Sequence, residues 1–242
     1  MKKLLIFLTF VLMVLTACDE GRIYEKTITV ERGGRVVKLN GTFSGIKNWT
    51  DDYSVVVAGF SDDNEYAMVT KSLPIDKAEG GEIELVLSGI SDDVTSLKLC
   101  VINRLRECIV SFKTIEDNEL AVGTDTIRMD VGTLDVGMYS AIQTQVFNNK
   151  CTACHGNTGS AAAGLFLTQD KSYNALVNHT AHVNSSMLLV SPGNVEESFL
   201  HFVLNRDGDT NMHHMDMFSA NEQAMLTLID KWIDGGAFLS KQ

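Results

Sequence analysis

From Ile23 to about Gly132 the apolar residues tend to alternate with polar ones, in "KTITVE", "RVVKLNGTF", "YSVVVAGF", "EIELVLSGI", "SLKLCVI", "ECIVSFKTI" and "DTIRMDV". A period of two lines one face of a strand, and the Val, Ile, Thr and Tyr content suits a pleated, half-buried surface. The runs are separated by "ERGG", "SDDN", "EGGE" and "SDD", which supply turn residues. The pattern predicts about seven short strands arranged as an antiparallel sandwich. Near residue 135 the period changes. "DVGMYSAIQTQVFNNK" places Tyr139, Ile142, Val146 and Phe147 at helical spacing, with Asp135 as cap. "SANEQAMLTLIDKWIDGGAF" opens with Ser219 and Glu222 at capping-box spacing, carries Leu226, Ile229, Trp232 and Ile233 on one stripe, and closes on Gly235 and Gly236. An all-β half followed by an all-α half is the expected fold class.

The first residues follow neither period. "MKKLLIFLTFVLMVLTACDE" has two lysines, an apolar run from Leu4 to Leu15, and small residues before a cysteine. That run falls short of the roughly 20 apolar residues of a permanent span and reads as a secretory targeting segment. Its tail "LTAC" resembles the lipobox of bacterial lipoproteins. The resemblance implies cleavage after residue 17, acylation of Cys18, and anchoring by lipid to a bacterial membrane on its periplasmic or cell-surface side. The expected organisation is a signal peptide at 1–17, a tether at 18–24, a β-sandwich domain at 25–133 and a helical domain at 134–242.

Charge narrows the partners. Loss of Lys2 and Lys3 leaves 18 of the 20 basic residues against 31 acidic ones, a net charge of −13. Nucleic acid is not expected as a partner, whereas a protein with a basic patch is.

The cysteines narrow the chemistry. Cys100 and Cys108 lie on consecutive predicted strands either side of "VINRLRE", and export permits a disulfide between them. Closing so short a loop would contribute on the order of 2–3 kcal/mol. Cys151, Cys154 and His155 form the C-x-x-C-H of "NNKCTACHGNT". A structural zinc needs four protein ligands, but no second cysteine pair is left and the adjacent His213 and His214 lack the usual spacing. A thioredoxin-like dithiol belongs in a βαβ setting, whereas this pair follows a helical pattern. Attachment of one covalent haem c remains: Cys151 and Cys154 as thioether donors and His155 as proximal iron ligand. Haem attachment outside the cytoplasm agrees with the export signal.

The β half resembles immunoglobulin-like modules in plan only. The segment from about 138 to 239 resembles the cytochrome c domains of bacterial surface and periplasmic proteins, including class I cytochromes c and the planctomycete-type family. The matching stretches are "VFNNKCTACHG", "AGLFL" with "SYNAL", "LLVSPGNVEESFLHFVL", a Met-bearing loop and "LIDKWIDGGA". The resemblance implies a cytochrome c fold and a methionine as sixth ligand, usually followed by proline, ahead of the last helix. Met215, 17 residues before Trp232, is the preferred residue. The proline is missing, so Met212, Met217, His213 and His214 stay open as alternatives. Leu165, Leu188, Leu189, Leu200 and Leu226 are expected to shield the porphyrin, while His179, His182 and His201 are expected to be solvated or structural. His/Met ligation shuts both faces of the iron and favours one-electron transfer, with no catalytic side chain required. The alternatives are a haem enzyme or sensor with an open distal site, or a surface binding module with an accessory haem domain.

Overall fold

The computed structural model describes residues 34–75, 80–116, 119–120, 126–156, 159, 161–206, 214–219 and 222–239. The signal peptide, Cys18, the tether and the run "KTITVE" lie outside the described residues, as do Met212 and His213. The described residues all belong to one compact unit, Arg32–Gln242.

The strands are β1 (Arg35–Ser44), β2 (Tyr53–Ser61), β3 (Asn64–Ser72), β4 (Glu82–Ile90), β5 (Ser96–Asn103), β6 (Cys108–Glu116) and β7 (Thr126–Asp135). They form a three-stranded sheet in the order β4-β1-β7 and a four-stranded sheet in the order β3-β2-β5-β6. Alternation does what the period predicts. Val37, Leu39 and Phe43 of β1 and Ile83, Leu85 and Leu87 of β4 point into one cluster with Val55, Val57, Leu97, Leu99 and Val101 of the other sheet. β2 is buried from Val55 to Phe60 without a break, because its second face carries a smaller cluster of Val56, Ala58, Phe60, Ala67, Cys100 and Ile102.

Two features depart from the sequence pattern. The two sheets are not wholly antiparallel: β1 pairs antiparallel with β4 but parallel with β7, from Val36 opposite Thr126 to Ser44 opposite Asp135, with a one-residue register shift between Asn40 and Thr42. A parallel pair needs a long connection rather than a hairpin, and here the intervening strands of both sheets supply it. β3 is an additional strand. It lies at a sheet edge with only Ala67 fully buried, so its residues never needed to alternate.

The helical half follows with α1 (Met138–Ile142), a π-helical segment (Gln143–Cys151), α2 (Thr152–His155), α3 (Ser172–Leu176), α4 (Phe199–Asn205) and α5 (Gln223–Asp234). Tyr139, Ile142, Val146 and Phe147 are all buried, as their spacing requires. The π segment was not legible from that spacing; π turns are rare and concentrate at functional sites. Asp135 acts ahead of the helix rather than on its first turn: its Oδ1 accepts from the Gly137 amide at 2.8 Å, while Gly137 itself is the N-cap. At the start of α5, Glu222 Oε2 accepts from both the amide and the hydroxyl of Ser219 at 2.9 Å. Among the described residues no helix is long and apolar enough to cross a membrane.

The hydrophobic cluster of the sheets continues without a break through Ile46, Trp49, Val136, Met138 and Tyr139 to Leu228, Ile229 and Trp232. Trp49 is a core residue at 7 % exposure, with its indole donating to the Val136 carbonyl at 2.7 Å. Tyr139 packs on Trp232, ring centres 5.0 Å apart, and on Tyr173 at 5.2 Å, joining α1, α3 and α5. Lys231 on α5 pairs with Asp52 beside β2 at 3.0 Å.

Candidate functional site

The π segment and α2 carry the C-x-x-C-H motif, and three or four residues is one helical turn. Cys151, Cys154 and His155 therefore share one helix face. All three line a cavity of about 470 Å³, within the range of ordinary cofactor sites. The other walls are mainly apolar: Val146 and Phe147 from the π segment, Leu165 and Leu167 from the loop after the motif, and Phe199, Leu200, Val203 and Leu204 from α4.

A chain of buried polar contacts holds this wall in place. The Tyr139 hydroxyl donates to Ser172 Oγ at 2.6 Å, Ser172 donates to Gln143 Oε1, and Gln143 Nε2 donates to the Leu167 carbonyl at 2.9 Å. The Leu167 amide in turn donates to the His155 carbonyl at 2.7 Å. α1, the π segment, α3 and the loop beneath His155 are thus tied together through side chains that have no access to water. S172A would leave the Tyr139 phenol and the Gln143 carbonyl without their shared partner. A loss of about 1–3 kcal/mol is expected, read as a lower denaturant midpoint at unchanged slope.

The His155 ring lines the cavity. Its Nδ1 is buried without a partner in good hydrogen-bond geometry, while the backbone carbonyls of Leu165 and Ala162 lie close enough to the ring to act on it. Burial depresses the pKa of the ring, and nearby His214 adds to this, while the carbonyls of Leu165 and Ala162 act the other way. The neutral imidazole, which is the ligating form, is therefore favoured. Burial pushes the Cys151 thiol up to about 11. Redox-active dithiols have depressed thiol pKa values, so Cys151 does not resemble one. Among the described residues no three His, Cys, Asp or Glu side chains converge as a bare-metal site would require. The donor set, one imidazole beside two thiols in an apolar cleft, fits a large apolar group carrying its own metal.

A further wall comes from the 3₁₀ turn His214–Met217. His214, Met217 and Phe218 line the cavity, whereas Met215 is not among its lining residues and is 37 % exposed. The His155 and His214 ring centres are 6.1 Å apart with planes inclined by 27°. Lys150 fastens this turn to the motif: its Nζ donates to the Met217 carbonyl at 3.0 Å, pairs with Glu222 at 2.6 Å and lies over the Phe218 ring. Lys150 first, then the Ser219 amide and hydroxyl, hold the Glu222 carboxyl down at about 2 against an ordinary 4.5. A depressed folded pKa means stabilisation that is complete above the unfolded value and lost as pH falls through the folded one. The difference in melting temperature between wild type and E222Q should therefore be constant above about pH 5 and shrink between pH 4.5 and pH 2.

Leu165, Leu189 and Leu200 of the expected shield line the cavity, while Leu188 and Leu226 do not. His179 and His182 are exposed at its rim, and His201 instead pairs with Asp230 at 2.8 Å, joining α4 to α5. Lys150, Gln143, Ser172 and Phe218 escaped the sequence reading; only Lys150, adjacent to the motif, carried any local signal. On the other face of the four-stranded sheet, Cys100 and Cys108 are neighbouring thiols in the smaller cluster. Their mutual hydrogen bond raises Cys100, with burial adding to it, and lowers Cys108. No protein-family model and no curated protein matches this chain.

Proposed function

We propose that the chain is an exported, lipid-anchored monohaem c-type cytochrome that carries single electrons, built from an immunoglobulin-like sandwich and a cytochrome c-like helical domain. One observation supports this above the others: Cys151, Cys154 and His155 line the same largely apolar cavity. Cys151 and Cys154 would hold the haem by thioether bonds and His155 would ligate its iron. When bound, the haem supplies reversible one-electron chemistry between ferric and ferrous states.

The protein's own part is to hold, orient and shield. The Gln143–Ser172–Tyr139 chain fixes the backbone of Leu167 against the His155 carbonyl, and so holds the backbone that carries the imidazole. Leu165, Phe199, Leu200 and Leu204 give the cavity an apolar lining, which would act on the potential through the local dielectric. The core shared between sheets and helices makes the sandwich a rigid mount rather than a flexible leash. Lipid on Cys18 would anchor the chain to the membrane, and an oxidised Cys100–Cys108 link would suit the exported compartment. The acidic surface suits a redox partner with a basic face, in an association that weakens with added salt.

The deciding experiment is expression in cells competent for cytochrome maturation, followed by a pyridine haemochrome assay and haem staining on a denaturing gel. One covalent haem per chain is expected. Colourless protein that does not stain would overturn the proposal. Rapid binding of carbon monoxide or peroxide turnover would instead favour an enzyme or sensor.

A further inference from the structure

We propose that His214, rather than a methionine, ligates the iron opposite His155, so that the haem is held by two imidazoles. This rests on the haem reading above and deepens it.

The argument begins with the phase of the turn. His214–Met217 is a 3₁₀ turn, with three residues per revolution, so residues 214 and 217 share a face and residue 215 points elsewhere. The cavity shows that division: His214 and Met217 line it and Met215 does not. Met217 is 42 % exposed, and its carbonyl is engaged by Lys150. His214 has the more telling geometry. A first-row metal holds an imidazole nitrogen at about 2 Å, and that nitrogen lies roughly 1 Å from its ring centre, so two imidazoles flanking one ion have centres about 6 Å apart. The His155 and His214 rings are stacked with centres 6.1 Å apart and planes 27° apart, and both line the same cavity, so their separation suits one ion once the nitrogens turn toward it. Lys150 pins the turn to the helix that carries Cys151 and His155, so this spacing belongs to a fastened wall and not to a free loop.

The consequence is chemical. A thioether as second ligand raises the potential of a haem, whereas a second imidazole leaves it lower. The protein would thus donate electrons at a low potential, with both faces of the iron closed to small ligands.

The ferric holoprotein decides the matter spectroscopically, on a sample whose covalent haem has first been established by the haemochrome assay. A sample without haem defeats the functional proposal; the ligand assignment is judged only on one that has it. The expected spectrum is low-spin and lacks the weak far-red band of sulfur–iron charge transfer. H214A should turn the iron high-spin and open it to cyanide, and H214M should gain the far-red band and shift the potential upward. A far-red band in the native protein would overturn the assignment, with M212A, M215A and M217A then identifying the sulfur. So would a low-spin spectrum unchanged in folded H214A. Should H214A fail to fold, the native spectrum alone still decides between sulfur and imidazole.

Discussion

The double variant C151A/C154A is expected to lose all covalent haem: no haem-stained band on a denaturing gel and no Soret absorption after removal of free haem. C100A/C108A, made and matured in the same way, is expected to retain both. The contrast follows from where the two pairs lie. Cys151 and Cys154 share a helix face with His155 and open into the apolar cavity. Cys100 is fully buried on the outer face of the four-stranded sheet, against Val56, Ala58 and Ile102, and neither it nor Cys108 lines the cavity that holds Cys151 and Cys154. H155A separates attachment from ligation. It keeps both thiols, so haem staining should persist, while the low-spin spectrum is lost because the proximal imidazole is gone. A stained C151A/C154A band would show that the thiols are not the points of attachment and would remove the basis of the proposed function.

The motif could be read from sequence because its geometry is local. Residues at i, i+3 and i+4 share a face in a helix whatever packs around them. The strands that line the core were equally legible, because burial on one side forces alternation. β3 was not, since an edge strand with one buried residue has no such constraint. The parallel pairing of β1 with β7 joins residues some ninety positions apart, and neither strand carries a mark of its partner. The distal side was hard to read for a related reason. Spacing from Trp232 favours Met215, but the short turn places His214 and Met217 on the cavity instead, and the phase of a single 3₁₀ turn leaves no periodic trace. The Tyr139–Ser172–Gln143 chain is likewise non-local. Hydrophobic period also shows only that a face is buried, not against what. The stripe on α5 therefore gave no hint that its core continues into the sheets.

That continuity carries the second large effect. G45A is expected to lower the melting temperature of the protein by about 6–12 °C, and to do so equally for the sheets and the helices. Gly45 links β1 to the 3₁₀ turn Ile46–Asn48, with a φ of +77°, which an L-residue adopts only at a cost. A Cβ there would stand 2.6 Å from the Gly137 Cα and 2.8 Å from Asp135 Oδ1, where the chain passes from β7 into α1. Strain of about 1–2 kcal/mol from the backbone and a comparable amount from the collision sum to roughly 3 kcal/mol. For a chain of this size each kcal/mol is worth about 2–4 °C. Gly80 makes the control: its φ is +78°, yet a Cβ would meet nothing within 4 Å, so G80A should cost only the backbone part. Hydrogen exchange resolved by segment tests the coupling. With one core running from Leu39 through Trp49 and Tyr139 to Trp232, amides of β1, β7, α1 and α5 should lose protection together. Loss confined to the helices, with the sheets unmoved, would mean that the two halves unfold separately and that the sandwich does not act as a rigid mount.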